Sequence, residues 1–442
     1  MARKRATPLI TDIEDIPDEL LVPEGEQPYD IPNHWTWVRL SAICLVNPPK
    51  PDVEGITDDR DVTFIPMSAI SETTGTVIAP ETRALGAVKA GYTAFRAGDV
   101  LFAKITPCME NGKVAVVESD AAGLAYGSTE FLVLRPSPLL DENFLHTFLR
   151  QESFRAEAKA VMSGAVGQQR VPRGFIETLA FPLPPLDEQQ AIVKKVQQTI
   201  RRLDDVLERL DQLLDQAPGQ RAAILQSAVT GALTKSWRVR NNTTWPEQRS
   251  GELFDFVTSG SRGWSKYYKD EGTVFLRMGN LTRDSIDFDL SDLQRVALPD
   301  EVEGRRSQVS DGDLLITITA DVGHVALVRN FIEDAYINQH LALARPAGHV
   351  VPEFLAWYLR SPVGAENIRA KQRGATKSGL GLDDIRSLAI VLPQPEEQFE
   401  IVRRLTVELE WLDRVLARVR DARDQLVSAR KVVRSQAVRG AA

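Results

Sequence analysis

The chain repeats itself about 210 residues apart. Leu203-Asp204-Asp205-Val206-Leu207 returns as Leu412-Asp413-Arg414-Val415-Leu416, and Ser227-Ala228-Val229-Thr230-Gly231-Ala232 returns as Gln436-Ala437-Val438-Arg439-Gly440-Ala441. Pro184-Pro185-Leu186-Asp187-Glu188-Gln189 returns as Gln394-Pro395-Glu396-Glu397-Gln398. These pairs sit 209 residues apart. A repeat of this period decides the architecture before any motif is weighed: one module occurs twice, each copy followed by the same arm. The segments before the arms agree in order as well. Gly98-Asp99-Val100-Leu101-Phe102-Ala103 matches Gly312-Asp313-Leu314-Leu315-Ile316-Thr317, Leu134-Arg135-Pro136 matches Leu343-Ala344-Arg345-Pro346, and Phe144–Arg150 matches Phe354–Arg360. Order and spacing persist while loop sequences differ, as expected of a shared scaffold carrying different binding surfaces.

At 442 residues the chain is too long for one core and predicts two to four domains. Composition is that of a soluble globular protein, 43% hydrophobic and 26% charged. No apolar run approaches the ~18 residues of a membrane span, so a cytoplasmic, membrane-free protein is expected. The basic start Met1–Arg5 runs into Asp12, Glu14 and Asp15 where a signal peptide needs an apolar core. Two cysteines, Cys44 and Cys108, make neither a zinc site nor a disulfide framework. The net charge of −8 argues against nucleic acid only in total, because five of those charges are the excess of acids in residues 1–30. Local fields matter more for phosphate binding, and 158–176 and 367–381 hold bases without acids.

The pattern divides into a poorly ordered acidic arm (1–30), a β-rich domain (31–183), a helical arm (184–235), a second β-rich domain (236–392) and a second arm (393–442). Short β-branched runs punctuated by Gly and Pro predict strands, followed by a helix near 141–161 and a Gly/Gln loop. In the first arm Ile192, Val196, Ile200, Leu203, Leu207, Leu210 and Leu214 step by threes and fours. In the second, Ile401, Leu405, Leu409, Leu412, Leu416 and Val419 do the same. One apolar seam per helix, flanked by charge, predicts a coiled coil. The alternative is two amphipathic helices packed on their own domains. Matching seams favour antiparallel pairing with each other. Pro218-Gly219 is expected to break the first arm before a short helix from Arg221 to Thr230.

Catalytic signals are weak. Asn47-Pro48-Pro49-Lys50 resembles the tetrapeptide with which amino-group DNA methyltransferases hold a base, but Lys50 stands where a stacking ring is needed and no glycine-rich cofactor turn precedes it, so it reads as a turn. His34, His146, His324, His340 and His349 lack metal-ligand spacing. Ser128, Ser163 and Ser378 lack a strained elbow, and no phosphate-binding loop is present. No active site, cofactor or metal is expected in this chain.

Recognition remains. The segment Ser259–Lys269 interleaves Arg262, Lys266 and Lys269 with Trp264, Tyr267 and Tyr268. Bases reach phosphates or guanine edges and aromatics pack on sugars or thymine methyls. A solvated hairpin whose aromatics cap the core is the plain alternative. The loop with Gln168, Gln169, Arg170 and Arg173, and its partner with Arg373, Thr376, Lys377 and Ser378, join backbone freedom to bases and amides suited to bidentate base contacts. Lys104 joins these DNA-binding candidates. Asn338-Gln339-His340 is either a further polar candidate or a satisfied turn.

Taken together, the duplicated Pro-Pro-Leu-Asp-Glu-Gln run, the Ile224–Gly231 segment and the run Phe275-Leu276-Arg277-Met278-Gly279-Asn280-Leu281 resemble the specificity subunits of type I restriction–modification enzymes, from Ile31 to the C-terminus. The resemblance implies an α+β chain with two target-recognition domains separated by two long helices in an antiparallel coiled coil. Each domain would read one half of a split, asymmetric site on double-stranded DNA, with the helices as a ruler. Implied partners are two methyltransferase subunits, which carry S-adenosylmethionine, and restriction subunits using ATP and Mg. Two alternatives stay open: a specificity subunit of a related two-subunit restriction system, and a coiled-coil adaptor that binds only proteins. The acidic arm lies outside the shared pattern.

Overall fold

The structure is a computed structural model that describes residues 10–118, 123–165, 167–260, 262–299, 304–329, 334–372 and 379–440. It divides into two units: Met1–Asp211 with Asp421–Ala442, and Gln212–Arg420. Each unit therefore takes the start of one arm and the end of the other.

The first unit is built on a four-stranded antiparallel sheet in the order Cys44–Val46, Phe131–Pro136, Val100–Ala103, Val114–Val116. Val100–Ala103 is buried at every position. Its side chains alternate faces, so Val100 and Phe102 enter one core while Leu101 and Ala103 enter another. A continuous apolar run is what a strand covered on both faces requires. The second unit repeats the order with Phe254–Ser259, Leu341–Pro346, Leu314–Thr317 and Val325–Leu327. There Leu314 and Ile316 face one core and Leu315 the other.

A second sheet covers one face of each. In the first unit its order is Glu81–Ala84, Asp61–Ile65, Ala125–Gly127, Thr93–Phe95, with Asp61–Ile65 parallel to Ala125–Gly127. In the second it is Tyr268–Lys269, Gln294–Val296, Thr273–Leu276, Ala335–Ile337, again with one parallel pair. The central parallel pair is common to both. The flanks differ: the strand Thr93–Phe95 is reduced to a single Gln308–Tyr336 bridge, and Tyr268–Lys269 adds an edge strand of its own.

Each domain closes on itself before entering its arm. Thr36–Arg39 pairs antiparallel with Ala180–Leu183, and Glu247–Arg249 with Ala389–Val391. The helix expected near 141–161 is two, Glu142–Leu149 and Glu152–Ala160. Asp141 caps the first by accepting from the amides of Asn143 and Phe144, both at 2.9 Å. Gln151 breaks the run in an extended conformation, its Nε2 donating to the Phe148 carbonyl at 3.0 Å. The counterparts are Pro352–Arg360 and Pro362–Lys371.

The arms are single long helices, Leu186–Val229 and Pro395–Ala437. Pro218 lies inside the first and does not end it, contrary to the sequence expectation. Pro218 and Gly219 are exposed, so water can serve the carbonyl that the proline leaves unpaired, and the helix is held on beyond them by buried Leu225, Ala228 and Val229. Within the first unit Asp204 pairs with Arg430 and Asp211 with Arg423. One index rises as the other falls, so the helix segments run antiparallel. In the second unit Arg221 pairs with Asp413, the same pair displaced by 209 residues.

The seam residues divide by position. Ile192 and Val196, and Ile401, Leu405 and Leu409, belong to the core of their own unit. Ile200, Leu203, Leu207, Leu210 and Val419 are half-buried, while Leu412 and Leu416 are buried. Both sequence readings therefore hold in part: the first turns pack on the domain, and the later turns face the other arm. At the arm ends, Ala228 and Val229 enter the core of the second unit, Ala437 and Val438 that of the first. Gly231 and Gly440 follow with φ of 80° and 73°. Only glycine takes this left-handed closing turn without strain, which explains why the motif repeats with its glycine.

From Ile10 the acidic arm is ordered, which corrects the expectation. Ile16 and Val22 are buried, Leu21 bridges to Val38, and the Tyr29 ring meets Trp37 edge-on at 4.9 Å. Apolar residues interleaved with the acids dock the arm on the first unit while the acids stay in water.

Candidate nucleic-acid interface

The residues that repeat most faithfully are not at a ligand surface. Gln189 is buried: its Oε1 accepts from the Asp141 amide at 2.8 Å, and its Nε2 donates to the carbonyls of Leu139 (2.9 Å) and Pro184 (2.8 Å). Gln398 repeats this with the Val351 amide (2.7 Å) and the Pro393 carbonyl (2.8 Å). Glu188 accepts from Trp35 Nε1 at 3.1 Å and lies 2.8 Å from His34 Nε2. Glu397 accepts from Trp245 Nε1 (2.8 Å), Thr243 (2.7 Å), Thr234 (2.8 Å) and Arg238 Nε (3.1 Å). Burial raises the Glu397 carboxyl, and these four donors more than reverse it, leaving it below the usual carboxylate range. The Glu-Gln pair is thus the fastener between each arm and the unit from which it starts.

A second repeated anchor lies in the central sheet. Arg135 grips Asp99 with two bonds of 2.7 Å, and Arg345 grips Asp313 at 2.7 and 2.8 Å. Both aspartates are buried. Asp99 also accepts from the Arg96 amide (2.9 Å), and Asp313 from the Ser310 amide (2.7 Å), so each carboxylate is satisfied. Sequence reasoning noted these repeats without a role for them. The signal was available in which residues stayed identical: Trp35 and Trp245, Asp99 and Asp313, Arg135 and Arg345.

The candidate contacts gather at the opposite end of the same strands from the Asp–Arg anchors. In the first unit the loop Gln168–Arg173 is pinned where the Val100–Ala103 strand ends. The Thr106 amide donates to Gln169 O (3.0 Å), the Gln169 amide to Thr106 Oγ1 (3.1 Å) and the Val171 amide to Lys104 O (2.8 Å). This brings Lys104, Gln168, Gln169 and Arg170 together. Their availability differs. Arg170 is held by Glu130 through two bonds of 2.9 and 2.8 Å, and Arg170 keeps that carboxyl below its usual range. Lys104 Nζ donates to Thr129 O at 2.8 Å. Gln168 is exposed, and so is Arg173, which bonds to Glu177 one turn on (2.8 Å). Arg170 therefore shapes the loop, whereas Gln168 and Arg173 face water.

In the second unit Arg373, Thr376, Lys377 and Ser378 lie outside the described residues. Gly379 bridges to Thr319, and the Leu380 amide bonds to Ile318 O (2.9 Å), the same point of the sheet as Lys104. Thr319 Oγ1 meets His340 Nδ1 at 2.7 Å, Gln339 Nε2 meets His340 Nε2 at 3.0 Å, and Asn338 Oδ1 accepts the His340 amide at 3.1 Å. Asn338-Gln339-His340 is thus a turn with satisfied side chains. It borders a cavity of about 330 Å³ that Arg277, Asn280 and Asp292 also line. Asn280 is buried and folds the Arg277–Leu281 turn, accepting from the Arg277 amide (2.9 Å) and donating to the Asp289 and Asp292 carbonyls (3.0 Å each).

The basic segment Ser259–Lys269 is not a hairpin, because Phe254–Ser259 and Tyr268–Lys269 belong to different sheets, and its side chains divide their labour. Trp264 is buried, 5.6 Å from Phe275 and edge-on to Tyr336 at 5.4 Å, so the capping alternative holds for this ring. Tyr267 is half-buried under the Lys266 ammonium (4.8 Å), while Arg262, Lys266, Tyr268 and Lys269 are exposed. Asn47 has φ 51°, and its Oδ1 accepts from the Val133 amide at 3.0 Å, so the Asn-Pro-Pro segment is a strand-closing turn. Among the described residues no group of His, Cys, Asp and Glu is placed to hold a metal, and no helix is long and apolar enough to cross a membrane.

Comparison with known proteins places this architecture. The type I restriction modification DNA specificity domain matches twice, at residues 32–216 and 242–410. The chain is 37% identical over 175 residues to the EcoEI specificity subunit and 35% identical over 244 residues to the EcoAI specificity subunit, both of Escherichia coli. These stretches cover 39% and 54% of this chain but 29% and 40% of the two relatives, so the chain spans less than half of either. In fold it is similar to the HsdS subunit of Thermoanaerobacter tengcongensis, with a TM-score of 0.67 at 22% identity over 94% of this chain and 99% of that one. A chain from a study of complex assembly and conformational transition of the type I R-M system gives 0.70 at 23% identity, covering 94% of this chain and 100% of that one. With the family domain matched twice over most of its length, the chain belongs to the type I restriction–modification DNA-specificity family.

Proposed function

We propose that the chain is the DNA-reading and scaffolding subunit of a type I restriction–modification complex. Each β-rich domain (31–183 and 236–392) reads one half of a bipartite site, and the helical arms (184–235 and 393–442) dock two methyltransferase subunits. The observation that carries this reading is the contrast between repeated interior and divergent exterior. The same central sheet and fasteners occur twice, while the flanking sheets and exposed polar loops differ. Two related readers with different surfaces suit an asymmetric site.

Chemistry would reside in the partners: S-adenosylmethionine in the methyltransferase subunits, ATP and Mg in the restriction subunits. In the first domain Gln168 and Arg173 are the leading contacts, with Lys104 and Gln169 beside them and Arg170 holding the loop. In the second, Arg262, Lys266, Tyr267 and Lys269 act together with Arg373, Thr376, Lys377 and Ser378.

The test is methylation mapping of host DNA with and without this gene, the partner methyltransferase being expressed in both. Loss of one split motif supports the reading. Unchanged methylation sinks it and leaves the protein-only adaptor.

A further inference from the structure

Three arginines of the first unit, Arg201, Arg430 and Arg434, line one groove of about 400 Å³, where Thr74–Val77 meets the start of one arm and the end of the other, and Arg150 and Arg155 lie behind it, near enough to act on its charges. Arg150 is 7% exposed. Its Nη2 donates to the carbonyls of Glu72 (2.7 Å) and Thr73 (2.9 Å), but its Nη1 is buried and has no hydrogen-bond partner among the described residues. Arg155 Nη1 donates to Glu110 O at 2.7 Å, and its Nε is similarly buried and unpartnered. Arg430 Nε lies 3.2 Å from Asp204 Oδ1, an ion-pair distance, yet it is not aligned to donate. Arg434 completes the group, with Arg201 at the exposed rim.

The electrostatics agree with the geometry. Burial pushes Arg150 down to about 9 and Arg434 to about 10, and the neighbouring guanidiniums push the same way. His146, beneath the groove, is held down to about 4 by burial and then by Arg150, so it carries no charge at neutral pH. The carboxylates lining the groove are Asp204 and exposed Glu118. Crowded buried cations with spare donors are costly unless an anion meets them.

The internal repeat supplies a control. Asp204 and Arg430 recur as Asp413 and Arg221, which form the same ion pair. Three of the additional arginines do not recur: Arg201 is replaced by Glu410, Arg434 by Leu225 and Arg155 by Ala365. Arg150 is matched by Arg360, whose Nη1 meets His324 Nδ1 at 2.7 Å. The scaffold needs the Asp–Arg pair. It does not need Arg155, Arg201 or Arg434.

We propose that the groove lined by Arg201, Arg430 and Arg434 is a binding site for a phosphate group, supplied by free phosphate or by a DNA backbone. The guanidiniums offer paired N–H donors suited to phosphate oxygens, and the groove admits a group of that size. The DNA source rests on the function proposed above; the free source does not.

The test uses the full chain and inorganic pyrophosphate. Thermal unfolding is followed in pyrophosphate and in chloride at equal ionic strength, and duplex DNA binding is followed against salt. Pyrophosphate is expected to raise the midpoint, since a ligand of the folded state stabilises it. Arg434→Gln should weaken that response roughly tenfold in apparent Kd, the size of one charge-assisted hydrogen bond. Arg201→Gln, at the rim where folding is not at stake, should weaken it less. If DNA supplies the phosphate, pyrophosphate competes with duplex and Arg434→Gln lowers the log–log salt slope by about 0.9. If the source is free phosphate, the slope stays and only the midpoint response is lost. Equal midpoints in the two salts with an unchanged slope overturn the proposal, as does a midpoint response that survives both substitutions. A chain that binds no DNA but keeps the pyrophosphate response would contradict the DNA-reading function alone.

Discussion

The two units share a central sheet strand for strand and differ in what flanks it. Arg135–Asp99 and Arg345–Asp313 sit in equivalent places, and the Glu-Gln fasteners hold equivalent arms. The second sheets carry the difference: Thr93–Phe95 forms an edge strand in one unit, and the basic segment supplies Tyr268–Lys269 in the other. Burial separates the two kinds of position. A buried polar residue must keep all its partners at once, so it changes only at large cost, whereas an exposed loop residue answers to its ligand alone.

The equivalent anchors also differ in depth, which allows the comparison to be broken. The largest effect is expected at the sheet ion pair. Arg135→Ala strands the Asp99 carboxylate and should cost about 3–5 kcal/mol in chemical denaturation. Arg345→Ala should cost less, because Arg345 is 40% exposed against 17% for Arg135 and water can reach the charge left behind. Equal losses would show that the two anchors are not set by burial. Next come the fasteners. Glu397 takes four side-chain donors where Glu188 takes two, so Glu397→Ala should destabilise more than Glu188→Ala, by about 1–3 kcal/mol for each buried donor left unmet.

The same glutamate gives a pH dependence. Its folded carboxyl lies below its ordinary value, so its contribution is present above the unfolded pKa, about 4.3, and is lost as pH falls through the folded one. Thermal midpoints taken across that acid range should fall more steeply for the parent chain than for Glu397→Gln. Parallel curves would remove Glu397 as a source of the acid sensitivity. The smallest effect is expected at the arm ion pairs. Asp211 and Arg423 are 50% and 40% exposed, so a double-mutant cycle on them should return a coupling under about 1 kcal/mol that fades with salt.

Much of the architecture was legible in the sequence because helix and strand periods are local. The arms announced themselves through Ile192 to Leu214 and Ile401 to Val419, and the twofold plan through the spacing of identical runs. What escaped depends on contacts distant in the chain. Pro218 reads locally as a helix breaker, and only the burial of Leu225, Ala228 and Val229 explains why the helix continues. The acidic start reads as disordered until Ile16 and Val22 are seen in the core. Trp264 looks like a ligand-facing ring in sequence, yet Phe275 and Tyr336 claim it. Arg170 looks like a free base, yet Glu130, 40 residues away, holds it. The groove arginines Arg201 and Arg430 are 229 residues apart, and no window of sequence joins them.

The proposed function requires the two exteriors to read two different half-sites. The most direct measurement is the methylated motif in cells expressing the partner methyltransferase with the parent chain, with Lys266→Ala/Lys269→Ala, or with Gln168→Ala/Arg173→Ala. Removing a side chain that reads a base edge should relax selectivity by about 1–3 kcal/mol at the base it reads. A split motif is expected, in which the first pair of substitutions relaxes one half, the second pair relaxes the other, and each leaves the opposite half intact. A contiguous motif, or two variant pairs that relax the same half, would contradict the proposed function.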